Sequence, residues 1–120
     1  MYDTPEDRIK IWFKLLLKSR RITQPNNIGF PKAFRISELV DIYKDHLVSV
    51  EHIVILLHKA NYLVISNHNL SRIQQVSYDA NPSENLKSIF LDIMFTLNLE
   101  ETKKFLEQRK GFGPQLKLEL

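Results

Sequence analysis

Apolar residues recur along this chain first at a helical spacing, then in short runs suited to strands, then at a helical spacing again. Near the N-terminus, Ile9, Trp12, Phe13, Leu16 and Leu17 fall at i, i+3, i+4, i+7 and i+8, a stripe along one side of a helix. Thr4 is placed to cap that helix, Pro5 suits its first position, and Glu6 and Asp7 complement the positive end of the helix dipole. "TQPNNIGFPK" (23–32) then interrupts the pattern as a loop, and "AFRI" offers a short strand. Ser37 is placed to cap a second helix, "SELVDIYKDH", with Leu39, Val40, Ile42 and Tyr43 turned inward. Ser49 opens a third helix that runs to about Ala60, and Asn61 is suited to the left-handed backbone that ends one.

After Asn61 the period shortens. "YLVIS" and "LSRIQQVSY", the latter with Ile73, Val76 and Tyr78, flank the polar tip "NHN" and predict a β-hairpin. "DANPS" breaks it. Ser83 is placed to cap a further helix from Glu84, with Leu86, Ile89, Phe90, Ile93, Met94 and Leu97 on one wide stripe and Leu91 and Phe95 on the opposite side. Asn98 with Glu101 forms a second cap, where that helix restarts or kinks. The surplus of apolar surface predicts a homodimer through Leu86, Ile89, Phe90, Ile93, Met94 and Leu97. The competing reading is that both faces pack within one chain. The tail "GFGPQLKLEL" is expected to be loosely held.

The segment "ISELVDIYKDHLVSVEHIVILLHKANYLVIS" with the hairpin through Tyr78 resembles a winged helix-turn-helix domain, and "LHKANYLV" is similar to the closure of its third helix onto the first wing strand. The resemblance implies an α+β, mostly helical fold: residues 1–80 as a winged-helix domain of three helices and a β-hairpin wing, 81–110 as a C-terminal helix or helix pair, and 111–120 as a flexible tail. It implies a third helix that enters the major groove and a wing that touches the backbone. Carried over by position, the outward residues are Val48, Glu51, His52 and Ile55, with His58 and Lys59 later, and Asn67, His68, Asn69 and Arg72 on the wing.

Charge changes that picture. Residues 1–35 carry eight Lys/Arg against three Asp/Glu, and the rest nine against eleven, so the basic character sits in the N-terminal third. Between Ile36 and Ser66 two Lys face four acidic residues, whereas groove reading wants Arg, Lys, Asn or Gln. "VEHIVILLH" is also apolar nearly all the way round, as in a helix buried on two sides. Its outer side needs a cover: the C-terminal helix folded back, a protein partner, or DNA. Phosphate contact therefore falls to Lys18, Arg20 and Arg21 at the end of the first helix and to Lys32 and Arg35 after it, with Lys59, the wing residues and His52 in support.

The chain has no cysteine, which excludes disulfides, a thiol nucleophile and thiolate-bound zinc, and its apolar runs fall short of a membrane span. The polar, acidic start differs from a signal peptide, so a cytoplasmic location is expected. His52 and His58 lie six apart, outside a shared ligand face, and neither a phosphate-binding glycine loop nor a G-x-S-x-G elbow occurs. No enzyme, metal or cofactor is expected. Two functions remain: a homodimeric winged-helix regulator binding double-stranded DNA, and a winged-helix module that binds protein through its apolar third or fourth helix.

Overall fold

The computed structural model describes residues 4–23, 33–79 and 81–111. Lys32 with the rest of the loop 24–32, and the tail from 112, lie outside the described residues. Described elements follow in the order α1 (Pro5–Ser19), β1 (Ala33–Arg35), α2 (Ile36–Ile42), α3 (Val50–Lys59), β2 (Leu63–Val64), α4 (Asn67–Tyr78), α5 (Glu84–Asp92), β3 (Met94–Leu97) and α6 (Leu99–Gly111). The protein is α+β and mostly helical, with a small antiparallel sheet ordered β1-β3-β2. Among the described residues no helix is long and apolar enough to cross a membrane.

Helix α1 forms as its spacing predicts. The Asp7 N–H donates to Thr4 Oγ1 at 3.2 Å, and Trp12, Phe13, Leu16 and Leu17 are buried. It ends at Arg21, whose φ of 57° is left-handed, with the Ile22 N–H returning to the Leu17 carbonyl at 3.0 Å. Helix α3 ends the same way: Asn61 takes φ 68°, and the Tyr62 N–H reaches the Leu57 carbonyl at 3.1 Å. Both closures fold an apolar residue back over the last turn, Ile22 on Leu17 and Tyr62 on Leu57. Helix α2 is shorter than its apolar spacing suggests and starts at Ile36, ahead of Ser37. Leu39 and Tyr43 are buried, but Val40 is exposed. The Tyr43 hydroxyl donates to the Trp12 carbonyl at 2.7 Å, tying α2 to α1, and burial pushes that phenol well above its ordinary range.

The largest departure from the expected chain path is the wing. Residues 67–78 form helix α4 where a hairpin tip and second strand are expected. Ser66 caps it, accepting from the Asn69 N–H at 3.2 Å. Its buried residues Ile73 and Val76, with half-buried Leu70, recur every three positions, which a strand would put on alternating faces. The antiparallel partner of β2 is instead β3, with Leu63 opposite Leu97 and Val64 opposite Thr96, and the chain between them forms α4 and α5.

The stripe expected as one C-terminal helix is also divided. Helix α5 stops at Asp92, and from Ile93 burial alternates: Ile93, Phe95 and Leu97 are buried while Met94 is exposed. β3 is the central strand. It pairs with β1 through Phe34 opposite Phe95, whose rings stack at 5.7 Å, so the segment beyond residue 80 completes the sheet begun before it. Asn98 then caps α6 through the Glu101 N–H at 3.4 Å, and Phe105 meets the ring of Phe13 edge-on at 5.1 Å. Tyr62 stacks on Phe13 at 4.2 Å, completing an aromatic trio.

Thr102 is fully buried, and its hydroxyl has no hydrogen-bond partner. A buried unpaired hydroxyl costs on the order of 1–3 kcal/mol. Thr102→Val keeps the branched shape and removes that group. Chemical denaturation is expected to show it more stable than the wild type by about 1 kcal/mol with an unchanged slope.

Candidate nucleic-acid interface

The predicted contacts divide into those the fold commits to internal bonds and those it leaves at the surface. Arg20 belongs to the first group. Its Nη2 donates to the Ala33 carbonyl at 3.0 Å and to Glu38 Oε1 at 2.7 Å, and its guanidinium lies 4.5 Å from the centre of the Phe34 ring. Glu38 Oε2 in turn accepts the Arg35 N–H at 2.9 Å. One arginine thereby fastens the end of α1 to β1 and to the first turn of α2. Arg35 extends toward Asp92 on α5, with Nη1 3.7 Å from the carboxylate in an exposed pair. Glu38 and Asp92 had no assigned role in the sequence pattern, because their partners lie 18 and 57 positions away.

Lys18, Arg21 and Lys59 are exposed. His52 is exposed on the first turn of α3, with Nδ1 2.7 Å from Ser49 Oγ. Asn67 and His68 are exposed, and Asn69 and Arg72 are half-buried. All four wing candidates thus stand on the first turns of a helix, and there is no hairpin tip for them to occupy.

The stripe expected to dimerise is largely internal. Phe90, Ile93 and Leu97 lie in this chain's own core at 7%, 4% and 2% exposure, so they have almost no surface to offer a second subunit. Leu86 and Ile89 are half-buried, and Met94 is exposed. Asn69 and Arg72 join Ile89, Asp92, Ile93 and Met94 around one shallow groove of about 430 Å³. Residues expected in two separate surfaces therefore share a single seam between α4 and α5.

On helix α3, Ile53, Val54 and Leu57 are fully buried, and Ile55 and Leu56 are half-buried against the core. Helix α1 packs on one side and α4 on another. The segment expected to be the wing thus packs against α3, while His52 and Lys59 on that helix stay exposed.

Electrostatics at the Arg20 cluster give a pH signature. Desolvation pushes the Glu38 carboxyl up. The hydrogen bonds from Arg20 and the Arg35 N–H, with the two guanidinium charges, outweigh it and hold the group below its ordinary value of 4.5. A carboxyl lowered on folding stabilises the native state above its unfolded value, and that contribution is lost as pH falls through the folded value. The pair is partly exposed, so its contribution is about 0.5 kcal/mol. Glu38→Gln is expected to lower stability near pH 7 by roughly that amount. Urea titrations from pH 7 to below 4 should show the gap to the wild type closing on the acid side.

No family model, no curated protein and no solved structure matches the chain.

Proposed function

We propose that this chain is a small protein-interaction module, with a winged-helix-like core whose third helix is packed inside the domain and not offered to a DNA groove. The observation that carries this reading is the covering of α3 by α4. A reading helix must present a polar, cationic face to base edges and phosphates, and the outward residues of α3 are His52 and Lys59, with Glu51 half-buried between neighbours. The Arg20 cluster adds to it, because that cation is already held by Glu38, a backbone carbonyl and an aromatic face. In favour of the winged-helix-like core are the order α1, β1, α2, α3, β2 and the antiparallel strand that returns to β2. On this reading α4 and α5 stand in place of the hairpin wing.

A regulator that binds double-stranded DNA is the second reading, and a specific surface favours it. Lys10 and Lys18 are exposed along α1, with Lys14 in the same row and exposed Arg21 just past the helix end, and that side carries much of the N-terminal excess of positive charge. Binding there would be dominated by the phosphate backbone, with little base reading.

Salt separates the two. Counterion release makes phosphate-driven binding fall by orders of magnitude between about 50 mM and about 200 mM salt. Fluorescence anisotropy with labelled random duplex is expected to show no saturable binding at the lower concentration. Saturable binding that collapses at the higher one, and that Lys18→Ala with Arg21→Ala removes, would overturn the module reading in favour of the regulator.

A further inference from the structure

Helices α4 and α5 follow one another in the chain and pack together, and two shallow hollows open along the line where they meet. One, of about 430 Å³, is lined by Asn69, Arg72, Ile89, Asp92, Ile93 and Met94. The other, of about 560 Å³, is lined by Gln75, Tyr78, Asp79 and Leu86. Arg72 and Gln75 are three apart on α4, and Leu86 and Ile89 are three apart on α5. Each pair shares a helix face, so the hollows are successive stretches of one groove. From Asn69 to Asp79 that groove runs roughly 15 Å at the rise of a helix. Leu86 and Ile89 are half-buried along it, with exposed Met94 in one hollow and exposed Tyr78 in the other. Its polar groups are unevenly partnered. Asp92 faces Arg35 at 3.7 Å, Asp79 Oδ1 accepts from the Asn81 N–H at 3.0 Å, and Glu84 at the start of α5 pairs with Lys87 at 3.7 Å. Arg72 is half-buried and makes no hydrogen bond or ion pair among the described residues.

We propose, resting on the interaction-module reading, that this groove receives an amphipathic helix of a partner protein with one carboxylate on its apolar face, set against Arg72. The walls select a helix. Both are helices whose backbone groups are bonded along their own axes, so they offer an extended peptide no ladder of N–H and C=O partners. A helical guest brings its backbone bonds with it and needs side-chain contacts alone. About 10 residues of helix span the groove, and Leu86, Ile89 and Met94 are there to meet its apolar row. Tyr78, Arg72 and Met94 are also of the residue types enriched at protein interfaces. Local charge selects the carboxylate. Arg35, Arg72 and Lys87 balance Asp79, Glu84 and Asp92, so net charge neither draws in nor repels a guest. The acidic side chains already have donors or cations beside them, which leaves Arg72 as the position where a negative group gains most. A guanidinium partly withdrawn from water binds a carboxylate through two parallel hydrogen bonds. A cationic guest would be repelled there.

The experiment selects displayed peptides on the immobilised full chain. The library is a helical frame of about 14 residues, with leucine fixed at i, i+3 and i+7 and the remaining positions randomised. Peptides enriched on the wild type are expected to share an Asp or Glu at one position beside the leucine row. Synthesised and titrated into labelled protein, they should move the NMR signals of the Arg72 Nε–H and of the Ile89 and Met94 methyls, and leave those of α1 in place. Arg72→Glu should weaken these peptides by about tenfold and, in a fresh selection, turn the shared position to Lys or Arg. A merely damaged fold would not reverse a charge preference. Arg72→Met keeps the apolar stem and should remove the preference while retaining leucine-row binding. No enrichment, enrichment without a shared carboxylate, or shifts that map outside the groove would each overturn the proposal. Should the selection fail while random duplex DNA also fails to bind, the groove assignment falls and the module reading stands. Salt-sensitive duplex binding beside a successful selection would instead remove the claim that DNA is not a partner and leave the groove assigned.

Discussion

Helix α3 is apolar on more of its circumference than one neighbour can cover, and the architecture follows from that. Ile53, Val54 and Leu57 are lost to water entirely, each worth about 1.5–3 kcal/mol relative to exposure. Ile55 and Leu56 lean on neighbouring side chains as well. Helices α1 and α2 supply one wall. The other must come from elsewhere in the chain, and α4 supplies it with Ile73 and Val76. Forming α4 directly after β2 leaves β2 without a neighbouring strand in sequence, so the sheet is completed only when the chain returns as β3. That return crosses α5, ends in the Phe34–Phe95 stack, and delivers α6 to the Phe13–Tyr62 rings.

The consequence for function runs through charge. The N-terminal third is basic, but its cations are not equivalent once folded. Arg20, though exposed, is bonded to Glu38 and to the Ala33 carbonyl and Arg35 leans toward Asp92, whereas no such bond ties down Lys18 or Arg21 in the same way. Counting basic residues overstates what is available to a polyanion. The apolar surface is likewise unequal: most of the C-terminal stripe is used inside the chain. The apolar side chains left exposed, Leu47 and Tyr78 foremost among the described residues, are scattered over several elements and form no single stripe.

Elements whose caps and apolar spacing agree were legible in the sequence. Thr4 with the Ile9-to-Leu17 stripe gave α1, Asn61 gave the end of α3, and Ser83 and Asn98 marked the starts of α5 and α6 correctly. The short strand at "AFRI" appears as β1. Two segments misled for the same reason: a short run of apolar residues fits two periods. Around Ile73 and Val76 the three-residue spacing already favoured a helix, with Ser66 as its cap, but the Asn-rich tip suggested a turn. Around Leu97 the helical stripe and the alternation Ile93, Phe95, Leu97 coincide, and pairing with β1 and β2 decides for the strand. The Arg20–Glu38 bond had no local signal, because it joins residues far apart in the chain.

The central claim is that residues 67–78 are a helix packed on α3. Backbone chemical shifts with methyl NOEs in solution test it most directly. Helical Cα shifts from Asn67 to Tyr78, with NOEs from the Ile73 and Val76 methyls to α3, are the predicted result. Extended shifts over 70–78 with cross-strand NOEs to Leu63 and Val64 would contradict it, for the segment would then be a wing and the outer face of α3 would be open.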